Sequence, residues 1–286
     1  MTEIDADCPR RTVLYLPAIR DSAVAKARTL DADCIILDLE DSVAPGMKAA
    51  ARAAAVAATT AGGWGHREVL LRVNGLDTEW SADDFAAASG ADIAGIVVPK
   101  VDSAADAGRA VALAGGRPVW AMIETPRAVL AVATIAATPG IRGLVAGFAD
   151  LTKELHLRPD AGRAPLFYSM GALVVAARAA GIPVFDGIYT DIRNDDGLRA
   201  EAVQARAFGF DGKTLIHPGQ VDIVNAVFAP SADELRHAEG LIAAHEAALA
   251  QGLGVTSFEG RIVENLHVDE AHRLRRFAAR LEHRAS

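Results

Sequence analysis

The sequence predicts an α/β fold closed into a (β/α)8 TIM barrel, followed by a C-terminal helical and hairpin arm. Three observations carry this expectation. Eight short apolar runs recur along the chain, each followed by a helical, often Ala-rich, stretch. The runs are apolar on both faces, as strands are in a parallel sheet covered by helices. Eight such units in 286 residues suit one closed barrel. The first strand–turn–helix passage, YLPAIRD, lacks the Gly-rich turn usual in an open doubly wound sheet.

The units follow in order. TVLYLP (12–17) leads into SAVAKARTL, and CIILDLED (34–41) into MKAAARAAAVAA. EVLLRVN (68–74) precedes DDFAAAS, and GIVVPK (95–100) precedes AADAGRAVALA. VWAMIE (119–124), GLVAGF (143–148), IPVFDGIY (182–189) and GKTLIHP (212–218) continue the alternation. A barrel domain is therefore expected over 11–230. Beyond it come a long helix from about Ser231 to Gln251, the Gly-rich passage GLGVTSFEGRIVE and a basic helix. These form an arm or lid over 231–286, expected to pack on the barrel and on a neighbouring subunit.

Composition narrows the function. With 51% hydrophobic and 23% charged residues the chain buries a large core, and a net charge of −8 argues against a nucleic-acid surface. A local basic pocket for phosphates stays compatible with that charge. Cys8 and Cys34 share no metal-type spacing, the reading expected of a reducing cytoplasm. The acidic start MTEIDADCPRR lacks a secretory n-region and h-region. The most apolar helical stretch is broken by Arg178 and Pro183, so no membrane span is expected.

In such a barrel, polar residues at the C-terminal strand ends are the default catalytic candidates. Here they are Glu40, Asp41, Arg72, Asn74, Lys100, Glu124, Asp150, Asp186 and His217. Glu124 and Asp150 end consecutive apolar runs. Two bare carboxylates that close repel, and a hard cation such as Mg2+ compensates them. The alternative is that Asp150 caps the helix at LTKEL while Glu124 pairs with Arg127. Arg72 ends an apolar strand, where a guanidinium needs an anionic partner: a substrate oxygen, or Glu40. His217 suits loop orientation better than base chemistry.

The blocks ADCIILDLEDSVAPGMKAAAR, LRVNGLDT, GIVVPKVDS, MIETPRAV, GLVAGFADL, FDGIYTDIRNDDGLRAEA and GFDGKTLIHPGQVDIVNAVFAPS resemble, in order, those of the citrate lyase β-subunit-like (CitE-like) proteins of the HpcH/HpaI aldolase group. The resemblance runs from Arg11 to about Arg275. It implies a TIM barrel that cleaves or forms a carbon–carbon bond in a 3-hydroxyacyl-CoA such as malyl-, citramalyl- or citryl-CoA, releasing a short acyl-CoA and a 2-keto acid. It implies Mg2+ on Glu124 and Asp150, and Arg72 with Glu40 at the reacting centre. Asp41, Gly147, Phe148 and Ala149 fall beside the substrate, and Arg20 and Lys26 match positions associated with coenzyme A phosphates. It also implies homotrimers or hexamers in which each arm closes a neighbour's site and brings to it an Asp that acts as acid or base. This chain departs there, because Glu264 stands where that Asp is expected. An ångström-scale displacement of a catalytic group costs on the order of a hundredfold. A thioesterase acting on the same esters, and a citrate lyase complex subunit acting on an acyl carrier protein, are the alternatives.

Overall fold

A computed structural model describes residues 8–158 and 162–285; the acidic start at residues 1–7 lies outside them. In chain order the elements are β1 (Thr12–Pro17), α1 (Asp21–Ala27), β2 (Cys34–Asp38), α2 (Lys48–Thr60), β3 (Glu68–Arg72), α3 (Ser81–Gly90), β4 (Gly95–Val98) and α4 (Ala104–Leu113). β5 (Val119–Ile123), α5 (Pro126–Ala136), β6 (Ile141–Ala146), α6 (Phe148–Glu154), α7 (Phe167–Ala180), β7 (Val184–Asp186), α8 (Asp195–Phe208), β8 (Gly212–Leu215) and α9 (Val221–Phe228) complete the first unit. All eight strands are parallel and β8 pairs back onto β1, so the sheet is the closed barrel that the alternation predicts.

Strand residues two apart share a face, and here that period decides what fills the barrel. Val13, Cys34, Ile36, Leu70, Val97, Trp120, Met122, Val145 and Phe185 form the interior cluster. Trp120 and Phe185 stack across it with ring centroids 4.8 Å apart. The alternate residues, among them Ile35, Leu37, Leu71, Ile96 and Ile123, are buried as well. Burial on both faces explains the continuous apolar runs.

Most strands end before the apolar runs do. β2 stops at Asp38, whose carboxylate accepts the Glu40 N–H at 2.9 Å and the Ser42 N–H at 3.1 Å and so bends the chain out of the sheet. β4 stops at Val98, before Pro99, which has no N–H for a ladder. β6 instead begins two residues earlier than its apolar run, with a register irregularity against β5 at Val119/Trp120.

Two ionic features brace the barrel. At the N-terminal ends of the strands, Arg11 pairs bidentately with the fully buried Asp33 at 2.9 and 2.8 Å, and Arg10 pairs with Glu68 at 2.5 Å. Asp31 and His66 gather beside Asp33, but its two oxygens are committed to Arg11. At β7, only three residues long, the buried Lys213 ammonium bonds Asp186 Oδ2 and Gly187 O, both at 2.7 Å. Arg163 grips the same carboxylate at 2.9 and 3.0 Å.

A second unit comprises Ala229 onward together with Cys8 and Pro9, so the division falls after Phe228. α10 (Ala232–Ala250) starts with a capping box: Ser231 Oγ accepts from Glu234 N, and Ser231 N donates to Glu234 Oε2 at 2.7 Å. β9 (Thr256–Phe258) and β10 (Arg261–Val263) form an antiparallel hairpin about Glu259 and Gly260, both in the left-handed conformation that two-residue hairpin turns favour. α11 (Asn265–Ala285) lays Val268 and Ala271 against Ala238, Leu241 and Ile242 of α10. Among the described residues no helix is long and apolar enough to cross a membrane.

A candidate active site at the C-terminal mouth of the barrel

The inward parity that carries Cys34 and Ile36 on β2 continues to Asp38, and that of Leu70 on β3 continues to Arg72. The β2–β3 register sets these two side by side. The result is a bidentate pair, Arg72 Nε to Asp38 Oδ1 at 2.7 Å and Arg72 Nη2 to Asp38 Oδ2 at 2.8 Å. Arg72 Nη1 reaches Glu40 Oε2 at 2.8 Å, with Asp41 at 3.6 Å. The guanidinium lies 4.8 Å over the Tyr15 ring, whose hydroxyl is 3.8 Å from Met122 Sδ. Arg72 is 8% exposed, so its charge is fixed in direction and aimed by three elements at once. Burial opposes that charge, but Asp38, Tyr15 and Glu40 more than compensate and raise the Arg72 pKa.

The same parity on β5 takes Trp120 and Met122 to Glu124, which is 2% exposed. Its Oε1 accepts the backbone N–H of Lys100 at 2.8 Å. Lys100 adopts φ 52°, a left-handed conformation that costs a non-glycine residue on the order of 1 kcal/mol and here turns its amide onto the carboxylate. The other side of Glu124 lies against Gly147, where a Cβ would overlap Glu124 Cβ and Oε2. Only glycine lets the turn after β6 close down on Glu124. The turn brings in α6, where Asp150 is a half-buried first-turn residue.

Charge is unbalanced at this mouth. Burial raises Glu40 to about 7 despite Arg72, with Asp41 and Asp38 adding to the rise. Burial also raises Glu124 to about 7, reinforced by Glu40 and Asp150. Asp38 moves the other way: burial would raise it, but the bonds from Arg72, Ser42 and Glu40 hold it below the ordinary carboxylate value. Since Asp38 neutralises Arg72, the oxygens of Glu40, Glu124 and Asp150 remain in excess. Such an oxygen donor set fits a hard divalent cation.

The strand-end candidates separate into groups. Arg72, Glu40 and Asp41 are in contact, and the charges of Glu124 and Asp150 are felt together. The local alternatives for the acids do not form: Gly147 is the N-cap of α6, which has no side-chain cap, and Glu124 is held by Lys100 N–H rather than by Arg127. Lys100 contributes its backbone to Glu124. Asp186 is occupied by Lys213 and Arg163, and Asn74 is buried between Leu39 O and Asp84. His217 accepts the Gly219 N–H and caps a short helical turn.

Of the positions that the resemblance sets beside the substrate, Gly147 serves the close approach to Glu124, and Ala149 is exposed. Phe148 points its ring into the core, edge-on to Phe210 at 6.4 Å. Arg20 and Lys26 are exposed at the N-cap and last turn of α1. Glu264 belongs to the second unit, exposed between β10 and α11, where its N–H donates to His267 Nδ1 at 3.1 Å. Asp38 and Tyr15 were not singled out by sequence reasoning. Extending the two-residue period one step past Ile36 and Val13 would have found both.

A family model described as HpcH/HpaI aldolase/citrate lyase matches residues 11–218. The chain belongs to this family. It is 46% identical over 260 residues to a (3S)-malyl-CoA thioesterase of Cereibacter sphaeroides, covering 91% of each chain. To an L-malyl-CoA/β-methylmalyl-CoA lyase from the same species it is 35% identical over 294 residues, covering 92% of each. A crystal structure of the CitE protein of Mycobacterium tuberculosis in complex with magnesium, acetoacetate and coenzyme A superposes with TM-score 0.81 at 32% identity. That match covers 96% of this chain and 99% of the other. This family member has the closed eight-stranded parallel barrel that the sequence predicts.

Proposed function

We propose that the chain acts on a malyl-type 3-hydroxyacyl-CoA thioester, held through Mg2+ on Glu124 and Asp150, and that its reaction is hydrolysis of the thioester. The observation that carries the substrate class is the excess of carboxylate oxygen packed beside one fixed guanidinium. Mg2+ bound there supplies the positive charge that holds and polarises the substrate's carboxylate and adjacent oxygen. Glu40, partly buried and with its pKa raised to about 7, takes a proton from the attacking water. Arg72 faces the oxyanion that develops on the thioester carbonyl, and the coenzyme thiol leaves. The α6 amides of Phe148 and Ala149, with Asp41, orient the acyl end. Arg20 and Lys26 meet the coenzyme phosphates.

The sequence alone favours carbon–carbon cleavage, and two observations shift the weight toward hydrolysis. Identity is higher to the thioesterase than to the lyase, 46% against 35%. The arm also offers Glu264 where the resemblance expects an Asp. Cleavage remains the second reading, supported by Arg72, which suits an enolate oxygen equally well. The active form is a homotrimer or hexamer in which an arm closes a neighbouring site.

Malyl-, citramalyl- and citryl-CoA, each incubated with Mg2+ and with EDTA, test this reading. Free thiol should appear without keto acid and disappear with EDTA. Keto acid equal to turnover transfers the assignment to the lyase. Neither product, or activity indifferent to EDTA, overturns the substrate and metal reading.

A further inference from the structure

Lys48 is a buried cation that the proposed chemistry does not use. It opens α2, is 5% exposed, and sits 5.1 Å over the Trp80 ring. No carboxylate lies within ion-pairing distance of its ammonium among the described residues. Instead Nζ donates to two successive backbone carbonyls, Leu39 O at 2.8 Å and Glu40 O at 2.7 Å. Leu39 O takes a second bond, from Asn74 Nδ2 at 3.0 Å, and Asn74 is itself fixed by Asp84, which Arg52 of α2 holds at 2.9 Å. Glu40 O also accepts the Val43 N–H at 3.0 Å. The turn after β2 is thus clamped from outside by α2 and from the side by Asn74, just past the end of β3, and by α3.

A lysine kept only for solubility would extend into water, and one kept for charge would meet a carboxylate. This one spends its donors on the backbone of the residue that contacts Arg72. Removing them leaves each carbonyl with one of its two bonds, that from Asn74 Nδ2 to Leu39 O and that from the Val43 N–H to Glu40 O, and loosens the turn so that its peptides can rotate. Rotation there swings the Glu40 side chain off the guanidinium.

We propose that Lys48 is a positioning residue: by holding Leu39 O and Glu40 O it aims the Glu40 carboxylate at Arg72 and the reacting centre. The inference rests on the role given to Glu40 above. Its test is a double-mutant cycle of Lys48→Met and Glu40→Gln, assayed with Mg2+ on whichever of malyl-, citramalyl- or citryl-CoA the enzyme turns over. Lys48→Met should lower kcat about tenfold or more, with the KM for the thioester held within about twofold. The double variant should lose no more kcat than Glu40→Gln alone. Multiplying losses in the double variant, or full kcat in Lys48→Met beside an impaired Glu40→Gln, overturns the positioning role alone. Full kcat in Glu40→Gln overturns the role of Glu40 and the positioning with it. Should Lys48→Met fail to fold, Lys48→Gln, whose shorter side chain keeps a polar amide but loses the charge and the reach of the ammonium, carries the same cycle. A crystal structure of either Lys48 variant gives an activity-independent readout. Glu40 still 2.8 Å from Arg72 there would also overturn the proposal.

Discussion

At the scale of single residues, the Asp38–Arg72 pair does structural and chemical work together. Both partners are nearly dry, so removing Arg72 leaves the Asp38 charge without its cation, a loss of about 3–5 kcal/mol, whereas removing Asp38 leaves Arg72 with Glu40 and Asp41 and costs less. Asp38→Asn should therefore lower the melting temperature and depress turnover, measured by calorimetry and by thioester assay. The pH dependence has a definite sign. The folded Asp38 pKa lies below its ordinary value, so its contribution is complete above about pH 4 and lost as pH falls through the depressed value. Asp38→Asn should flatten the acid limb of a plot of melting temperature against pH. Glu124→Gln and Asp150→Asn should each weaken magnesium binding about tenfold or more by calorimetry, and unchanged affinity in both would remove them as ligands. Arg72, Glu40 and Glu124 were legible in the sequence because a charge at the end of an apolar run demands a partner. Lys48 was not: at the start of an Ala-rich helix it reads as solvated, and its burial depends on Trp80, distant in the chain.

Among elements, the turn between β6 and α6 decides whether the two acids can cooperate. Gly147→Ala should push Glu124 and the start of α6 apart and lower kcat/KM on the order of a hundredfold. Steady-state kinetics together with magnesium calorimetry check this, since a purely local loss of stability would spare metal affinity. The strand order and the repeating alternation could be read from apolar patterning, because every strand is buried on both sides. Strand ends could not: apolar residues continue into the loops that cover the barrel, and Asp38 and Pro99 end the ladders by hydrogen-bond chemistry rather than by a change in hydropathy.

For the whole molecule, the barrel carries its own closed core, while the second unit contributes the hairpin and α11. If that unit closes a neighbouring site, a chain ending before Ser257 should keep the barrel's cooperative melting transition and lose turnover. Analytical ultracentrifugation should show its assembly weakened, and full activity in the truncated chain would contradict the arm's role. Sequence patterning announced the arm as an extra segment, but could not place Glu264, because its position depends on the hairpin turn at Glu259 and Gly260. Within the barrel, one seam stands apart. The three-residue β7 has two register partners on each side, so few ladder bonds resist its opening, and the Lys213–Asp186–Arg163 charges take up that task. Neutralising Lys213 should make amides on both sides of this seam the earliest in the barrel to take up deuterium, ahead of those in β2 and β3. The barrel would then breathe along a single line, like a stave cask with one loose joint.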